Sequence, residues 1–171
     1  MVDEGLAALL IELFRAIHSI SGYPMPAILP EVHAVPLQQL QARVCSWACP
    51  VKAFYLKGEG IFIEQSLDFR RDPRARAILL HELVHHLQNL SARFDSLPSC
   101  EAWYAREHEA YVIQNEYLRV EGEAVRQYMA GFARRCTDGH ALFLDQPTCC
   151  ARNCKLAVRA SSALARSYEP R

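Results

Sequence analysis

Between Pro73 and about Leu90 the chain places apolar residues at Ala77, Ile78, Leu80, Leu83, Val84 and Leu87. On a helix these cover more than half the circumference, so the helix belongs in the middle of a fold with other elements packed round it. Yet His81, Glu82 and His85 lie inside the same run. Burying such groups without partners costs on the order of several kcal/mol. Whatever surrounds this helix must therefore give them something to bind. Its start is marked by Asp72, a residue suited to the N-cap, and by Pro73, whose missing N–H costs nothing in the first turn.

The remaining elements follow from periodicity and turn signals. Asp3 to Ser19 carries Leu6, Leu9, Leu10, Leu13, Phe14 and Ile17 on one face, an amphipathic helix that packs on the core. Ser21-Gly22 and the prolines at 24, 26 and 30 stop it. A short strand over Glu31 to Val35 and a short helix over Pro36 to Val44 come next. Val51 to Leu56 and Ile61 to Glu64 are β-prone runs joined by Lys57-Gly58-Glu59-Gly60, which reads as a hairpin. After the central helix, Ser99 caps a second long helix from Cys100 to about Glu121, with a continuation past Gly122 to Arg135 possible on pattern. Asp138-Gly139 is a turn, and a final helix spans about Arg152 to Tyr168. The expectation is a single compact α+β domain over residues 1–171. It divides into an N-terminal part (1–50), a core (51–135) and a cysteine-containing C-terminal segment (136–171).

Composition narrows the partners. Nineteen Lys+Arg balance nineteen Asp+Glu. Binding to nucleic acid or to an anionic membrane draws on a basic excess that this chain lacks, so no nucleic-acid partner is expected. No run approaches the about 20 apolar residues of a membrane span. The seven cysteines are Cys45, Cys49, Cys100, Cys136, Cys149, Cys150 and Cys154. None is spaced C-x-x-C, which argues against a zinc ribbon or a thioredoxin-type motif. Disulfides are the preferred reading, with Cys45–Cys49 as one small loop and further bridges near the C-terminus. Reduced, buried thiols are the alternative. Disulfides favour a periplasmic or secreted protein whose leader is absent here, while the lack of a signal-like start favours the cytoplasm.

His81-Glu82-Leu83-Val84-His85 is an H-E-x-x-H motif. Histidines four apart on a helix project one above the other, so both imidazoles reach one point and suit a borderline-soft ion such as zinc. Glu82 lies about 100° round the helix from His81. It can reach a water on the metal without becoming a ligand, which suits it to act as general base. His86 points away from His85, and His18, His33 and His140 have no partner spacing.

The stretch Ile78-Leu-Leu-His-Glu-Leu-Val-His-His-Leu-Gln88 resembles the active-site helix of zincin metallopeptidases. With the hairpin before it and the long helix after it, roughly Val51 to Leu118 is similar to the small gluzincin layout. The resemblance implies a zinc-dependent peptide hydrolase with one zinc ion, a peptide or protein substrate, and a third ligand from a Glu on the following helix. Glu101, Glu107 and Glu109 are the candidates. Several zincin groups carry E-x-x-A-D there, and only Glu107 fits, with Tyr111 standing where Asp would orient a ligating histidine. Helical geometry favours the same residue. Glu107 shares a face with Trp103, Ala110, Gln114 and Leu118, whereas Glu109, the alternative ligand, faces the more solvated side with Ala105, Val112 and Glu116.

The resemblance also implies that an edge strand pairs with an extended substrate, for which Ile61 to Glu64 are candidates; otherwise both strands of the hairpin only pack the core. Tyr104, His108 or Tyr111 could stabilise an oxyanion. Two other readings compete. One is a catalytically inactive, zinc-stabilised binding or regulatory module; the other is a disulfide-stapled interaction protein in which the motif is accidental.

Overall fold

The computed structural model describes residues 4–44, 50–97 and 99–124, with Ser99 and Cys100 as backbone alone. In chain order these form α1 (Glu4–Ser21), β1 (Val32–Val35), α2 (Leu37–Val44), β2 (Ala53–Leu56), β3 (Gly60–Glu64), α3 (Pro73–Ser91) and α4 (Ser99–Val120). The class is α+β, as expected, and each element expected over these residues is present with bounds shifted by one or two positions. The expected final helix, the Asp138-Gly139 turn, His140 and the cysteines other than Cys100 lie outside the described residues, as does the side chain of Cys100. No helix among the described residues is long and apolar enough to cross a membrane.

Local chemistry sets the helix ends. The Asp72 carboxylate accepts from the Arg74 N–H at 2.9 Å, and Pro73 opens α3. The possible continuation of α4 to Arg135 is corrected by its C-terminus. Gly122 takes φ +77°, the Glu123 N–H donates to Leu118 O at 2.9 Å, and the Gly122 N–H donates to Arg119 O at 3.2 Å. That pair of bonds satisfies the last carbonyls and turns the chain off the helix axis.

The sheet has the order β1-β3-β2. β2 and β3 form the expected antiparallel hairpin, with Phe54 opposite Phe62. β1 pairs in parallel with the other side of β3, Val32 opposite Ile61. β3 is therefore the central strand and is buried along its length. An edge role for Ile61 to Glu64 is corrected accordingly, since both sides of that strand are occupied by the protein itself. The edges of the sheet are β1 and β2.

The core is assembled round α3. Leu79 to Val84 are six consecutive buried residues, and the helix packs against α1, α4, β2 and β3. Leu10, Leu13, Phe14 and Ile17 of α1 close one side, and Ala110, Ile113, Tyr117 and Leu118 of α4 another. Leu40, Val51, Phe54 and Phe62 form a smaller cluster under the opposite face of the sheet. At about 25 cal/mol per Å2 of apolar surface removed from water, each large side chain here contributes about 2 kcal/mol. A helix enclosed in this way cannot rotate or slide without opening the core.

Candidate metal centre

His81 and His85 stand on successive turns of α3, with ring centroids 4.8 Å apart and planes inclined by 78°. α4 crosses in front of them and brings Glu107 between the rings. Glu107 Oε2 is 3.4 Å from His81 Nε2, and Glu107 Oε1 is 3.2 Å from His85 Nε2. The three ligand atoms lie within 4.8 Å of one another. A tetrahedral ion with bonds of about 2.0–2.1 Å separates its ligand atoms by about 3.4 Å, and the two distances from Glu107 to the histidines match that separation. His81, Glu82 and Glu107 are each less than a tenth exposed. The group His81, His85 and Glu107 can hold a metal ion.

Glu107 reaches this position because α4 presents a packed face toward α3. Ala110 and Leu118 are fully buried on that face, and the small Ala110 side chain lets the helices approach closely. This is the face assigned to Glu107 from helical periodicity. Glu109 is elsewhere, but it is not solvated. Its Oε2 accepts from Tyr23 OH at 2.7 Å and from Gln88 Nε2 at 3.0 Å, and its Oε1 meets Arg93 Nη1 at 2.7 Å. Three donors occupy its carboxylate, so it is not available as a ligand. Glu101 is exposed at the start of the helix.

Each of these two imidazoles is oriented by a glutamine. His81 Nδ1 lies 3.0 Å from Gln114 Oε1, and His85 Nδ1 lies 2.9 Å from Gln88 Oε1. An amide oxygen only accepts, so each ring carries a proton on Nδ1, and Nε2 is the atom that can give a lone pair to an ion once any second proton is displaced. Tyr111, at the position where Asp stands in the zincin pattern, does not take this role. Its ring packs edge-on against His81 at 4.6 Å. The orienting acceptor is Gln114, one turn further on.

Glu82 is buried, and its Oε2 has no hydrogen-bond partner among the described residues. Burial raises its pKa above the ordinary carboxylate value, and the neighbouring imidazoles and a backbone hydrogen bond from Tyr55 only partly offset this. Burial alone would also raise Glu107, but the charges and hydrogen bonds of His85 and His81 hold it well below the usual range. His85 responds reciprocally. Burial pushes it down, yet the Glu107 carboxylate outweighs that and raises it to about 9. Two adjacent carboxylates are thus driven apart: Glu107 toward permanent charge, Glu82 toward accepting a proton.

Family models, curated proteins and solved structures give no match to this chain. What the site can do rests on its own geometry.

A cleft of about 430 Å3 opens beside the triad, bounded by the end of α2, β2 and the turn after it, α3 and α4. Glu82, His85 and Glu107 line it together with Tyr55, Trp103 and Arg106. Tyr104, His108 and Tyr111, the oxyanion candidates from sequence, are not among its lining residues. Tyr104 and His108 stack on each other instead, with His108 exposed. The other histidines among the described residues pack or bond locally. His86 lies against Phe14 and Tyr55, His33 stacks on Phe62, and His18 bonds Tyr23 O at 2.7 Å. Sequence reasoning assigned no role to Gln88, Gln114, Tyr23 or Arg106. The usable signal for the glutamines was position, since each lies on the same helix face as a ligand, three residues after His85 or seven after Glu107.

Proposed function

We propose that this chain is a zinc-dependent hydrolase of peptide bonds, of the zincin metallopeptidase type, with His81, His85 and Glu107 as ligands and Glu82 as general base. One observation carries the reading. A buried carboxylate oxygen, Glu82 Oε2, is left without a partner beside three convergent ligand atoms. A structural metal site has no use for such a group, whereas hydrolysis needs a base there. This favours an enzyme over a zinc-stabilised binding module. Two imidazoles and a carboxylate suit zinc among the common divalent ions.

When bound, zinc supplies a Lewis acid that polarises the scissile carbonyl and acidifies water. The chain's own residues do the rest. The two glutamines keep both imidazoles in the ligating tautomer, and Glu107 closes the set with its charge. Glu82 takes a proton at Oε2 from the attacking water and returns it to the departing amine nitrogen. The raised affinity of Glu82 for a proton, set by its burial, suits both transfers. The substrate backbone runs along β2, whose outer edge pairs with no strand among the described residues and borders the cleft.

The test is metal content by mass spectrometry of the parent, Glu107→Ala and Glu109→Ala, followed by a peptide-library cleavage assay. One equivalent of zinc in the parent and in Glu109→Ala, lost in Glu107→Ala, together with cleavage by the parent, is the expected result. A metal-free parent after zinc reconstitution overturns the reading. Zinc without cleavage of any peptide leaves the binding-module alternative.

A further inference from the structure

Gln88 is fully buried, and every polar atom of its amide is engaged. Nε2 donates to Arg106 O at 2.9 Å and to Glu109 Oε2 at 3.0 Å, which uses both of its hydrogens. The oxygen faces His85 Nδ1 at 2.9 Å. Turning the amide over would set its oxygen against a carbonyl and a carboxylate, both acceptors, and its NH2 against an N–H. The orientation of the amide is thus fixed from its far side.

Glu109 is itself held on that far side by elements distant in sequence. Tyr23, just after α1, donates to Oε2 at 2.7 Å, and Arg93, just after α3, meets Oε1 at 2.7 Å. Burial and the Glu109 carboxylate push the Tyr23 phenol up to about 12, so it remains a donor at any ordinary pH. The result is a continuous line of hydrogen bonds from Tyr23 through Glu109 and Gln88 to His85. A neutral imidazole has two tautomers, and only the one protonated on Nδ1 presents its Nε2 lone pair toward Glu107.

We propose that Glu109 is a positioning residue which acts through Gln88 to hold His85 with its proton on Nδ1 and its Nε2 free to ligate. The proposal rests on the metal site assigned above. It turns the alternative third ligand into the group that sets one of the actual ligands, with its negative charge one residue removed from the imidazole.

The test is zinc affinity by chelator competition on the full chain, in a double-mutant cycle of Gln88→Met and Glu109→Met, with Glu109→Gln as the conservative variant. Gln88→Met is expected to weaken zinc binding about 10- to 100-fold, and Glu109→Met by about tenfold, by the usual cost of losing an outer partner of a ligand. Glu109→Gln keeps an oxygen to accept from Gln88 and stays within about twofold of the parent. In the Gln88→Met background, Glu109→Met has no further effect.

An unchanged affinity in Glu109→Met overturns the proposal, as does a full additional loss in the double variant. A parent that binds no zinc overturns the metal site itself, which separates the two failures. A measurement on the parent alone covers variants that do not fold. Imidazole nitrogen resonances of the zinc-loaded protein are expected to show His85 ligating through Nε2 with a slowly exchanging Nδ1 proton. Ligation through Nδ1 refutes the relay.

Discussion

Gln114 Oε1 lies 3.0 Å from His81 Nδ1, so the residue that orients one candidate ligand sits on the same helix as another, Glu107, seven positions away. α4 thereby contributes one member of the His81, His85 and Glu107 group and the support for another in two turns. Gln114→Leu keeps the volume but removes the acceptor. It is expected to raise the zinc Kd about 10- to 100-fold, measured by chelator competition, because the ring loses its preferred tautomer. His108→Ala, on the exposed side of α4, serves as the control and leaves the Kd unchanged.

In the proposed mechanism Glu82 supplies a base, and it stands outside the His81, His85 and Glu107 group. Glu82→Gln is therefore expected to retain one equivalent of zinc while cleavage of a responsive peptide falls by about 10²- to 10⁴-fold, the range for loss of a general base. A variant that cleaves at the parent's rate removes Glu82 from the mechanism.

The His85–Glu107 pair is expected to make zinc binding and metal-free stability respond to pH in opposite ways. In the metal-free chain His85 is raised to about 9, above its ordinary value of about 6.5. The folded state then binds more protons than the unfolded one between these values. Stability from this pair is fully present below about pH 6.5 and is lost as the pH rises through about 9. Zinc must displace the same proton. Its affinity is expected to rise about tenfold per pH unit across that window and to level off above it. Thermal melts of metal-free protein and zinc competition, both from pH 6 to 9.5, check the two signs.

Gly60 sits where β3 meets β1, at φ +102°, and a Cβ there would lie 2.5 Å from the Glu31 carbonyl oxygen. The same carbonyl accepts the Ile61 N–H at 2.8 Å. Gly60→Ala is expected to cost roughly 2–4 kcal/mol in urea denaturation, from backbone strain and a contact that only backbone movement relieves. Gly58→Ala, also at positive φ but with no atom near the added carbon, is expected to cost about 1–2 kcal/mol. The difference between the two isolates the steric contact from the backbone conformation.

What the sequence discloses is what neighbouring residues decide. Asp72-Pro73 start α3 through contacts within one turn, and the face that carries Glu107 follows from a period of 3.6 because Ala110 and Leu118 lie on it. The sheet order is not local. Val32 finds Ile61 across α2 and β2, and nothing in either strand's composition marks the pairing as parallel or β3 as central. The same holds for Glu109. Its partner Tyr23 is 86 residues away, so a carboxylate that periodicity sets on the wetter side of a helix is in fact claimed by another element. Tyr111 shows a third kind of limit, in which the orienting role moves one turn along α4 to Gln114 and the expected position supplies a ring contact instead.

The unbroken burial of Leu79 to Val84 has a consequence for how the ion and the fold depend on each other. In a zinc finger the ion is the nucleus, and the chain unfolds without it. Here the helix that carries both histidines is clamped by α1, α4, β2 and β3 through apolar contacts that owe nothing to the metal. An ion held by His81, His85 and Glu107 would be a guest in a finished room. Removing it is expected to leave α3 and α4 in register, so that one divalent ion could be exchanged for another without the protein passing through an unfolded state.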